Sequence, residues 1–76
     1  MAGQPVSFME ARDLTLKYYI ESRDRLPLPM RDMPRKIVEN QTLSINDIIA
    51  HIQSNTEIGQ WLVGEYASAM ELIING

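Results

Sequence analysis

The sequence predicts an all-α domain: three main helices and one short helix, supported by self-association. Three observations carry this expectation. Apolar residues recur at helical spacing, N-cap signatures precede the periodic stretches, and a chain of 76 residues has no cysteine to staple a small core. By mass scaling, folding hides only about 60% of the surface a chain this short exposes when unfolded.

Residues 1–6 show no periodicity and are expected to form a flexible leader, with residues 7–76 making one helical domain. Ser7-Phe8-Met9-Glu10 reads as a capping box that starts helix one. That helix is expected to run to about Arg25. Its charged face, Glu10, Asp13, Lys17, Glu21 and Asp24, offers i,i+4 pairing. The opposite arc, Phe8, Leu14, Leu16, Tyr18, Tyr19 and Ile20, is wide for a helix with one buried side.

Leu26-Pro27-Leu28-Pro29-Met30 cannot continue a regular helix, because each proline removes a donor and biases its predecessor towards extended backbone. An extended linker with inward leucines is expected. Asp32 then caps a short helix over Met33–Glu39, with Pro34 in its first turn, and Asn40-Gln41-Thr42 ends it.

Ile45, Ile48, Ile49 and Ile52 fall at i, i+3, i+4 and i+7, one continuous apolar stripe. Ser44 and Asp47 fit the cap, and Leu43 and Ile48 occupy the staple positions.

The last helix is expected to begin after Ser54-Asn55-Thr56-Glu57 and to reach about Ile74, with Asn75-Gly76 as terminator. Ile58, Leu62, Tyr66, Ala69 and Ile73 make its central stripe. Trp61 and Leu72 flank it on one side, and Val63, Met70 and Ile74 on the other. So broad an apolar surface calls for burial on two sides, the second from another chain. Trp61, Val63, Gly64, Ser68, Leu72 and Ile74 are therefore the expected interface. Gly59 and Gly64 each cost roughly 1 kcal/mol relative to alanine inside a helix. Gly64 and Ser68, four apart, would let a second helix approach closely.

Charge is segregated along the chain. Residues 1–36 hold seven basic and five acidic groups, whereas residues 37–76 hold five acidic groups and no lysine or arginine. Arg23, Arg25, Arg31, Arg35 and Lys36 surround the proline linker and are the candidate contacts for an anionic partner. A nucleic-acid-binding alternative would use this linker, 23–36, or a helix-turn-helix at 44–74. The start of the last helix, however, offers Thr56, Glu57 and Gln60 and no cation, which disfavours nucleic acid.

His51 is the sole histidine and is expected at the surface or an interface. No nucleophile motif or glycine-rich phosphate loop is visible, so no catalytic, cofactor-binding or metal-binding residue is expected and the chain reads as a non-enzyme. The N-terminus lacks the pattern of a signal peptide. The apolar stretch Ile58–Ile74 is interrupted by Gln60, Glu65 and Glu71, so no membrane span is expected. The absence of cysteine fits a reducing, cytoplasmic setting. The functional expectation is a small protein–protein interaction module, a regulator or adaptor. It self-associates through its C-terminal helix and takes a protein partner with an acidic or apolar surface.

Overall fold

Ser7 ends a strand and opens a helix, and from it the chain departs from the all-α expectation. The computed structural model describes residues 4–75. Their order is β1 (Gln4–Ser7), α1 (Phe8–Asp24), a 3-10 helix over Leu28–Asp32, β2 (Lys36–Val38), β3 (Gln41–Leu43), α2 (Ile45–Gln53), α3 (Glu57–Ala69) and β4 (Leu72–Asn75). The described residues form a mixed α/β fold with two small sheets: parallel β1–β4 and antiparallel β2–β3.

The expected leader is thus ordered from Gln4 onward, and Met1–Gly3 lie outside the described residues. β1 exists because β4, from the opposite end of the chain, supplies its hydrogen-bonding partner in the register Gln4↔Leu72 to Ser7↔Asn75. Val6 and Ile74 stand together in that register and pack against the core.

α1 begins with the expected capping box. Glu10 N–H donates to Ser7 Oγ and Ser7 N–H to Glu10 Oε1, both at 3.1 Å. Its buried stripe is made of small residues rather than its large apolar ones. Ala11 and Thr15 are fully buried while Leu14 and Tyr18 face outward. Thr15 can be buried because its hydroxyl donates to the Ala11 carbonyl at 2.6 Å, leaving no orphan donor. Small side chains here let α1 lie close on α2 and α3.

The proline segment is a 3-10 helix rather than an extended linker, and Leu28 points outward, 72% exposed. The expected short helix over Met33–Glu39 is absent. Pro34 and Arg35 precede β2, which turns back into β3 through Glu39 and Asn40. Both turn residues have positive φ, 50° and 66°, as a type I′ hairpin turn requires. Asp32 accepts a hydrogen bond from Asn46 Nδ2 at 3.0 Å instead of capping a helix.

α2 matches its periodicity: Ile45, Ile48, Ile49 and Ile52 are all buried, with the Ser44–Asp47 capping box in place. Burying an isoleucine stabilises by about 1.5–3 kcal/mol, so this stripe is the largest local contribution to the core. Leu43 and Ile48, the staple pair, join the same cluster as Val38, Ile52, Leu62 and Val63.

α3 is capped by Thr56, whose Oγ1 accepts from Gly59 N–H at 3.0 Å. It ends at Ala69, not at Ile74. Glu71 adopts φ 57°, the left-handed conformation that closes helices, and its N–H donates to the Ser68 carbonyl at 3.2 Å. Beyond it, Leu72 and Ile74 turn inward and Ile73 and Asn75 outward, a period of two in place of 3.6.

Candidate interaction surface

The six residues expected to form one helical seam divide into two groups. Val63 is 1% exposed and belongs to the core. Leu72 and Ile74 lie on β4, half-buried, and Ile74 packs on the core cluster. These three leave the seam because the helix stops before β4 and because the chain itself covers Val63. Trp61, Gly64 and Ser68 do come together, on the outer face of α3, where with Glu65 and Ala69 they line an open depression.

Trp61 is 50% exposed and stands at one rim. The Lys36 ammonium, carried by β2, lies 5.8 Å from the centre of its ring, within cation–π range. The same ammonium contacts Glu65 Oε1 at 2.6 Å. That hydrogen bond holds the lysine pKa above its ordinary value. Lys36 thus ties the hairpin to α3 beside the half-exposed indole.

The two glycines of α3 have different reasons to be there. A β-carbon at Gly59 would collide with the main-chain carbonyl of His51, so glycine is what lets α3 cross α2 closely. At Gly64 a β-carbon would meet nothing within 4 Å. Nothing in the described chain explains a residue that costs roughly 1 kcal/mol in a helix interior.

Beside this face, Tyr18 sits 5.1 Å from Tyr19 and 5.4 Å from Tyr66, ring centre to ring centre. Tyr18, Tyr19, Arg35 and Lys36 line a hollow next to them. Burial raises the Tyr19 pKa, with Lys36 opposing it. No local spacing in the sequence joins these aromatics to the basic residues, because they come from separate elements.

Three of the five residues of the basic cluster have partners close by within the chain. Arg23 Nε lies 3.5 Å from Asp24, and Arg31 Nε donates to the Leu26 carbonyl at 3.1 Å. Lys36 is held by Glu65, and Arg25 and Arg35 have neither a salt bridge nor a side-chain hydrogen bond among the described residues.

The helix-turn-helix candidate is an α2–α3 pair in which the His51, Thr56 and Gln60 side chains are engaged internally. Thr56 caps α3, and Gln60 Nε2 donates to the Asn55 carbonyl at 3.1 Å. His51 Nδ1 lies 2.8 Å from Thr56 Oγ1, so the histidine braces the interhelical turn.

Among the described residues no three His, Cys, Asp or Glu side chains gather to hold a metal, and no helix is long and apolar enough to cross a membrane. Comparison with models of protein families, with curated proteins and with solved structures gave no match.

Proposed function

We propose that this chain is a small protein–protein interaction module that self-associates through the outer face of α3. The observation that carries the reading is Gly64, a helix-interior glycine with open space where its side chain would be, set between Trp61 and Ser68. Close approach of a second helix gives that glycine a reason. A two-fold contact requires a face complementary to itself. Trp61 is a knob, and the small residues Gly64, Ser68 and Ala69 make a hole. Trp61 and Ser68 lie symmetrically about the Gly64–Glu65 midpoint, so antiparallel α3 helices place each indole over the other chain's small residues. Tryptophan at such a centre is the residue type that most often dominates binding energy.

A binding role, rather than a catalytic one, fits a face built from an indole, small residues and one ion pair. A cytoplasmic, reducing setting fits a chain free of cysteine. The nucleic-acid alternative has less support, because two of its five cations, Arg31 and Lys36, are held within the chain and Arg23 lies beside Asp24.

Sedimentation velocity between low and high micromolar concentration tests the reading. Association that rises with concentration and is weakened in Trp61→Glu, with the helical circular dichroism spectrum kept, is the expected result. A native chain that stays monomeric and cooperatively folded throughout that range contradicts it.

A further inference from the structure

We infer that the outer edge of β4 pairs with β4 of a second copy in antiparallel register, a contact distinct from the α3 face. In a parallel ladder the backbone groups of successive residues point alternately to one neighbour and the other. Gln4 N–H donates to the Glu71 carbonyl at 3.0 Å, and Gln4 stands opposite Leu72. Gln4 and Val6 therefore direct their backbone groups at β4, while Pro5 and Ser7 direct theirs outward. The Glu71 carbonyl, just before β4, and the backbone groups of Ile73 and Asn75 face β1, and those of Leu72 and Ile74 face away.

The two outer edges of this sheet are not alike. That of β1 is closed to a further strand. Pro5 has no N–H, and the Ser7 N–H is already donated to Glu10 Oε1. Proline and engaged donors are how edge strands avoid pairing. That of β4 has neither device: the Leu72 and Ile74 N–H and C=O groups have no backbone partner among the described residues. The sequence Leu72-Ile73-Ile74 combines high β-propensity with no charge and no proline.

The occupant that fits is a second copy. Antiparallel pairing about Ile73 sets Leu72 opposite Ile74 of the other chain, each such pair exchanging both of its N–H···O bonds. The paired residues Leu72, Ile73 and Ile74 carry no charge, so no like charges meet within the pairing. Ile73, half-exposed in the single chain, meets its own counterpart across the axis at a Cα separation of about 4.5 Å. The result is one sheet in the order β1-β4-β4-β1, with the β1 strands as closed outer edges. Because the α3 face is a separate two-fold contact, a chain using both touches two others, and the assembly passes beyond a dimer.

Sedimentation velocity on the full chain, with Ile73→Lys and Trp61→Glu variants singly and together, separates the two contacts. Ile73→Lys sets two ammonium groups face to face at the axis and leaves the α3 face intact. The expected pattern is a native assembly larger than a dimer, a dimer for each single variant, and a monomer for the double variant. Ile73→Lys indistinguishable from the native chain in size and affinity overturns the β4 contact and leaves the α3 face standing. An unchanged Trp61→Glu with a weakened Ile73→Lys does the reverse. Should Ile73→Lys fail to fold, amide exchange on the native chain decides. Leu72 and Ile74 amides that slow at least tenfold as the protein associates support the pairing; amides that exchange equally fast in monomer and assembly overturn it.

Discussion

The Lys36 ammonium lies 2.6 Å from the Glu65 carboxylate and is the link that fastens the β2–β3 hairpin to α3 beside Trp61. Both side chains are partly open to water, so the pair contributes little to folding, about 0.2–1 kcal/mol in a double-mutant cycle with Lys36→Ala and Glu65→Ala. Its main role is positional. Lys36→Ala is expected to leave stability nearly unchanged and to alter the Trp61 fluorescence spectrum, since the ring loses its cation. A loss above about 2 kcal/mol, beyond any exposed pair, would place the link in the core energetics instead.

Gly59 and Thr56 define the crossing of α2 and α3. Gly59→Ala forces a methyl group into the His51 carbonyl, and the gain in helix propensity cannot offset a clash with backbone. A loss of at least about 2 kcal/mol in urea unfolding is expected. Thr56→Ala removes the cap bond to Gly59 N–H and the contact to His51, and a loss of about 1 kcal/mol is expected. If Gly59→Ala were neutral or stabilising, the close crossing of the two helices would be wrong.

Glu71 closes α3 with φ 57°, a conformation that costs a residue with a β-carbon roughly 1–2 kcal/mol and costs glycine almost nothing. Glu71→Gly is therefore expected to raise the thermal midpoint, by about 1 kcal/mol in stability after its greater unfolded-state entropy is counted. A lower midpoint would mean that Glu71 is not left-handed and that α3 continues towards Ile74.

Alkaline pH should weaken the fold. Burial raises the Tyr19 pKa, and the hydrogen bond to Glu65 raises that of Lys36, both relative to unfolded values of about 10 and about 10.4. Above those values the unfolded chain releases its protons before the folded one does, so the folded state holds more protons and loses stability as pH rises. Below about pH 9 neither group contributes a slope. Urea unfolding at pH 8 and pH 11 should show the fall, and Tyr19→Phe should make it shallower. An identical alkaline loss in Tyr19→Phe would remove Tyr19 as a contributor.

What the sequence made legible follows from how local each signal is. Ile45, Ile48, Ile49 and Ile52, with the Ser44 cap, specify α2 within a dozen residues, and the structure repeats that reading. Ser7 and Glu10 likewise set the start of α1. The hairpin was illegible because its strands are three residues each and its turn is Glu39-Asn40, without the glycine that marks such turns. β4 reads as helix in the sequence because Leu72, Ile73 and Ile74 extend the helical stripe as readily as they alternate. Its partner, Val6, stands at the other end of the chain. On α1, the residues that pack closest are Ala11 and Thr15, and a search for large apolar side chains passes over both. The spacing of Gly64 and Ser68 puts the two small residues on one face of α3, whereas the Lys36–Glu65 link, between distant elements, leaves no trace in the sequence.

The most direct test of the α3 face is Gly64→Ala, measured for stability and for association in the same protein. With open space around Gly64, alanine should raise monomer stability by about 1 kcal/mol, through helix propensity alone. If a second α3 packs there, the added methyl group should weaken association at that face about tenfold or more, equivalent to about 1.4 kcal/mol. A variant that is more stable and associates as tightly as the native chain would show that no helix approaches Gly64.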